Sequence, residues 1–88
     1  MWGVSVYKMK TAEQLRIDYY KKIMEDENIV NILEELTETL YKNTIEKDEY
    51  HLHKKYSTNI AKKVAFCLRF IGYNVIEYKH GKLEVFIK

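Results

Sequence analysis

The side chains best equipped for chemistry are His51 and His53, the hydroxyls of Ser5 and Ser57, the thiol of Cys67, and the carboxylates of Glu25-Asp26-Glu27 and Glu34-Glu35. On a strand, His51-Leu52-His53 projects both imidazoles to one side, as two metal ligands require. Zinc takes four ligands, or three and a water, and no Cys-x-x-Cys or His-x-x-x-His completes the set. The pair reads as solvated histidines on an edge strand, and His80 falls in a turn. A catalytic nucleophile needs a base and an orienting acid beside it. No serine here stands in a Gly-x-Ser-x-Gly elbow, and three glycines build no phosphate-cradling loop. Cys67 lies among apolar neighbours, with no His or Lys placed to make it a thiolate, and reads as a small core residue. The acidic clusters read as solvated helix faces, because paired carboxylates do acid–base work only in a pocket that parts their pKa values. The expectation is a non-enzymatic protein with no catalytic residue, no metal and no cofactor.

Two other patterns point to binding. Lys62, Phe66 and Arg69 recur at i, i+4 and i+7 on the outer face of one expected helix, and Lys54 and Lys55 precede it. A ring flanked by cations is what stacking plus phosphate contact uses on a single nucleic-acid strand. The competing reading packs Phe66 beneath the N-terminal helix and leaves the bases to keep the surface soluble. Two arginines in the whole chain argue against readout of base edges. The second pattern is on the first helix, where Ile17, Tyr20 and Met24 form an apolar stripe roughly opposite Leu15, Tyr19 and Ile23. A helix apolar on two sides must be sandwiched. Few neighbours exist in so short a chain, so the expectation is a homo-oligomer, most simply a two-fold dimer, with Ile17, Tyr20 and Met24 as its seam.

Several elements must position these residues. Trp2, Val4 and Val6 alternate with Gly3, Ser5 and Tyr7, which suggests a short strand over 1–9. Thr11 and Gln14 fit a capping box that starts a helix. No Gly or Pro interrupts Thr11–Ile45, and its apolar stripes stay in phase across Glu25-Asp26-Glu27-Asn28. The segment is either one long helix or two with a kink at that cluster, Asn28 capping the second. Glu49–Tyr56 places Tyr50, Leu52 and Tyr56 at period two, an edge strand. Ser57-Thr58-Asn59 caps a helix over Ile60–Ile71 whose core face is Ile60, Val64, Cys67, Leu68 and Ile71, and Gly72 suits its left-handed C-terminal position. Tyr73–Tyr78 and Leu83–Lys88 form a hairpin turned at Gly81. The fold class is α+β: a long N-terminal helical segment, straight or kinked, and a second helix on a small, mainly antiparallel sheet that ends in a C-terminal hairpin.

Length and composition bound what this fold can be. Eighty-eight residues make one domain, 1–88, with a thin stability margin. A single cysteine excludes an internal disulfide and suits a reducing compartment. No stretch approaches the roughly 20 apolar residues that span a bilayer, and 1–10 lacks the uninterrupted aliphatics of a signal peptide. The expected location is the cytoplasm. The net charge of +2 conceals a dipole: Thr11–Glu49 holds eleven acids and five bases, and Tyr50–Lys88 eight bases and two acids. Such a chain either attracts a polyanion with its basic half or meets an oppositely charged face.

The opening Met9-Lys10-Thr11-Ala12 of the charged helix, the helix stop Phe70-Ile71-Gly72-Tyr73-Asn74-Val75 and the closing Gly81-Lys82-Leu83-Glu84-Val85-Phe86-Ile87 resemble small bacteriophage and prophage accessory proteins in layout. The first eight residues lie outside the resemblance. It implies a class of roles: binding a host protein, binding nucleic acid, or joining a particle, in the host cytoplasm if phage-encoded. The leading expectation is an oligomeric interaction protein that binds another macromolecule, its acidic first helices offered to a basic protein. The alternative is a nucleic-acid-binding module using Lys54, Lys55, Lys62, Phe66 and Arg69.

Overall fold

The computed structural model describes residues 9–45 and 49–87. The strand expected over 1–9 therefore lies outside the described residues except for Met9. Helix α1 spans Ala12–Ile23 and α2 spans Glu27–Thr44. Thr11 caps α1 through its hydroxyl, which accepts from the Gln14 N–H at 3.1 Å. The other half of the capping box does not form, because the Gln14 amide donates to Asp18 at 2.9 Å instead.

Thr11–Ile45 is thus two helices, and the break sits at Met24-Glu25-Asp26. Asp26, not Asn28, caps the second: its Oδ1 accepts from the Asn28 N–H at 3.0 Å. A carboxylate two residues earlier meets the free N–H groups and the positive end of α2 directly.

Strand β1 (Tyr50–Lys55) leads into α3 (Thr58–Phe70), β2 (Asn74–Glu77), a 3₁₀ turn (Lys79–Gly81) and β3 (Lys82–Ile87). Ser57 caps α3, its hydroxyl taking the Ile60 N–H at 3.4 Å. Gly72, at φ 106, ends the helix. There the Tyr73 and Gly72 amides return to the Leu68 and Arg69 carbonyls at 2.9 and 3.1 Å, closing orphan acceptors of the last turn. The sheet order is β1-β3-β2, with β3 antiparallel to both neighbours. The crossover β1–α3–β2 leaves a gap of one strand, and β3 returns to fill it. Among the described residues both β1 and β2 are edges.

Alternation assigns the two faces of the sheet. Leu83 and Val85 are buried toward the helices, with Val75 beside them and Tyr50, Leu52 and Ile87 half-buried. Above them lie Ile29, Leu33, Leu36 and Leu40 of α2 and Ala61, Val64, Ala65, Cys67 and Leu68 of α3. No polar residue is buried among the described residues. Ile71, expected in this core, is 45% exposed. It is the cap residue of α3, where the chain has left helical geometry and the core face no longer governs it. The structure is α+β, as the sequence pattern implies.

Candidate functional site

The expected seam on α1 is not a free surface. Ile17, Tyr20 and Met24 are all half-buried. Tyr20 stacks on Phe70 of α3 at 4.3 Å between ring centroids, 14° from parallel, and Met24 packs on the core. The reason is geometric: at 3.6 residues per turn, Tyr20 and Ile23 lie only about 60° apart. The two stripes merge into one broad face, and α3 packs on its centre through Phe66 and Phe70. Leu15, on the far edge of that face, is 55% exposed.

Nor do the five residues of the expected basic surface assemble. Phe66 lies under α1, edge-on to Tyr19 at 4.7 Å and 6.2 Å from Phe70. A half-buried ring in a four-ring cluster gains dispersion and quadrupole attraction that a solvent-facing ring forgoes. Arg69 turns away to β2, donating to Glu77 Oε2 and to the Val75 carbonyl, each at 2.8 Å. This satisfies an edge carbonyl that the sheet leaves unpaired. Lys54 sits half-buried on the helix side of β1, while Lys55 and Lys62 are exposed.

The topology gathers a different basic cluster around Tyr78. Because β3 lies between β1 and β2, Lys55 pairs directly opposite Lys82 on the helix-free face of the sheet. One groove wraps this end of the sheet and is lined by His53, Lys54, Lys55, Tyr78, Lys82 and Leu83. A second, at the start of α3, is lined by Lys62, Glu77, Tyr78, Lys79 and His80, among others. Tyr78 and Leu83 belong to both. Among the described residues Glu77 is the one acid in either lining, and Arg69 pairs with it. Two positive-φ residues hold this end in shape, His80 (φ 63) and Gly81 (φ 77). At Gly81 a Cβ would run into the Tyr56 carbonyl, and the Tyr56 amide donates to the Gly81 carbonyl at 2.9 Å. This close approach ties the end of β1 to the start of β3.

The helix-free face also carries a hydrogen-bonded chain. Tyr78 donates its hydroxyl to Glu84 Oε1 at 2.7 Å. His51 contacts Glu84 Oε2 through Nδ1 at 2.5 Å and Glu49 Oε1 through Nε2 at 2.7 Å. Carboxylates only accept, so both contacts are satisfied together when each ring nitrogen bears a proton. The bonds to Glu49 and then Glu84 accordingly raise the His51 pKa, and the bonds from Tyr78 and then His51 lower that of Glu84. His51 also stacks on Phe86 at 5.1 Å, 9° from parallel. His51 and His53 do share one face, as their spacing requires. Both nitrogens of His51 are engaged by carboxylates, and no cluster of three or more His, Cys, Asp or Glu is placed to hold a metal ion among the described residues.

Burial pushes the Cys67 thiol up to about 11, the opposite of what a nucleophile needs. Tyr78, Lys79, His80 and Lys82 escaped the sequence reading because it took the hairpin as a scaffold. The signal was present: with β3 beside β1, antiparallel register alone puts Lys82 opposite Lys55. No helix among the described residues is long and apolar enough to cross a membrane. No protein-family model, curated protein or solved structure matches the chain.

Proposed function

We propose that this protein is a non-enzymatic binding module that holds a polyanion, of the nucleic-acid class, at the basic end of its sheet. The observation that carries the reading is the setting of Tyr78, between two grooves whose described lining holds five lysines, two histidines and one acid, Glu77, which is already paired. Lys55, Lys62, Lys79 and Lys82 are exposed, and exposed lysines with no carboxylate partners among the described residues are poorly used in a stability role, since surface pairs contribute little in any case. Arrayed on one end, they neutralise phosphates and release counterions. This keeps the nucleic-acid reading of the sequence and moves its site: Lys54, Lys55 and Lys62 remain, and Tyr78, Lys79 and Lys82 replace Phe66 and Arg69. Such binding belongs to the accessory roles that the layout resembles.

The test is fluorescence anisotropy with a labelled oligonucleotide at low salt. Lys55→Glu combined with Lys82→Glu should weaken binding more than tenfold, and Lys42→Glu on α2 should leave it unchanged. Equal affinity in all three proteins would remove the proposal.

Self-association is the second reading, and one observation favours it. Leu15, Phe70 and Ile71 remain 55%, 40% and 45% exposed beside the α1–α3 packing. Light scattering on Leu15→Glu should report a smaller species than the wild type. A monomeric wild type sinks the idea.

A further inference from the structure

Among the described residues, helices cover only one side of the three-stranded sheet. On the other side, β1 presents His51, His53 and Lys55, β3 presents Lys82, Glu84 and Phe86, and β2 presents Ile76 opposite Glu84. Ile76 and the adjoining Tyr78 are 41% and 49% exposed. A water-facing sheet surface ordinarily alternates to polar residues. This one intersperses Phe86, Ile76 and Tyr78 among its polar residues and is cationic at the Lys55–Lys82 end.

We infer that this face is a track for single-stranded nucleic acid, bases lying on the His51–Phe86 stack and on Tyr78 while phosphates meet Lys55 and Lys82. The inference rests on the polyanion reading above and names its ligand. Planar rings on a flat sheet bind bases through their faces, which a single strand exposes and a duplex keeps stacked on its neighbours. Glu84, the acid in the middle of the track, does not repel the backbone as a bare carboxylate would. Its two oxygens are engaged by the Tyr78 hydroxyl and His51 Nδ1. The same two bonds fix the Tyr78 and His51 side chains over the sheet before any ligand arrives, so little side-chain freedom is left to lose on binding. Charge complementarity selects the occupant. An apolar protein segment gains nothing from the two lysines, and a bilayer surface calls for a broader cationic area than a three-stranded sheet presents.

The experiment compares three probes on the full chain at one low salt concentration: a single-stranded oligonucleotide, its duplex, and heparin. The single strand should bind at least tenfold tighter than the duplex. Tyr78→Leu and Phe86→Leu, which remove rings without changing the charge of the face, should each cost the single strand on the order of tenfold, the scale of one lost stacking contact. Both should change heparin binding less than twofold. Heparin and both oligonucleotides binding with similar affinity, all insensitive to Tyr78→Leu, overturns the track and leaves the polyanion site standing. Failure of all three probes to bind removes both readings.

Discussion

Replacing Gly81 by alanine should be far more damaging than the same change at Gly72, although both glycines have positive φ. At Gly72 (φ 106) a new Cβ meets nothing within 4 Å. The cost is the backbone preference alone, about 1–2 kcal/mol. At Gly81 (φ 77) the same term applies, and the Cβ also runs into the Tyr56 carbonyl and lies 2.9 Å from its carbon and 3.3 Å from the Ser57 carbonyl carbon. These are backbone atoms, so no side chain can swing aside. Relief requires β3 to move off the β1–α3 junction, at about 1–3 kcal/mol of overpacking strain. The displacement also breaks the Tyr56-to-Gly81 bond, for about 1 kcal/mol more.

The total for Gly81→Ala is about 3–6 kcal/mol, against an expected stability of about 4–13 kcal/mol for a domain of this size. In thermal melts followed by circular dichroism, Gly72→Ala should lower Tm by about 4–16 °C. Gly81→Ala should lower it by at least about 12 °C or leave no cooperative transition. Its folded fraction should also lose oligonucleotide affinity, since the junction sets Tyr78 and Lys82 beside Lys55. A Gly81→Ala protein as stable as Gly72→Ala would refute the close-packed junction.

Phe66→Ala should cost about 2–3 kcal/mol in urea unfolding by emptying the α1–α3 ring cluster, yet leave oligonucleotide affinity unchanged. An affinity loss at unchanged stability would return Phe66 to the binding surface. The His51 pKa lies above its ordinary 6.5 in the folded protein. Its stabilising contribution is therefore complete below pH 6.5 and lost as pH rises through the higher folded value. An NMR titration of the His51 ring should show that elevation, and Glu84→Gln should lower it; a pKa at or below 6.5 contradicts the double carboxylate contact. Cys67 is fully buried, so a thiol reagent should label it only as fast as the protein unfolds. Rapid labelling of native protein would place the thiol elsewhere.

Local patterns that depend on a single element were legible in the sequence. The Thr11 and Ser57 caps, the Gly72 stop, the buried alternation of Leu83 and Val85 and the edge position of β1 follow from hydrogen-bond geometry and from periods of 3.6 and 2. What depends on two elements meeting was not. The α1 stripe looked two-sided because a sequence does not say how wide a covering neighbour is, and α3 reaches both Tyr19 and Tyr20. Phe66 and Arg69 share a helix face with Lys62, but their partners, Tyr19 and Glu77, come from α1 and β2. The Lys55–Lys82 pair arises only because β3 inserts between two strands that α3 connects. Charge segregation, by contrast, was already visible: the basic half of the chain is the half that builds the sheet and its cationic end.

The salt dependence of oligonucleotide binding tests the central claim most directly. Three to five lysine–phosphate contacts with a single strand give a slope of log K against log salt of roughly −2 to −3.5, about 0.7 per contact. Removing Lys55 and Lys82 together should flatten that slope by about 1.4. No binding at low salt, or a slope that survives the loss of both lysines, would contradict the assignment of this end of the sheet as a nucleic-acid site.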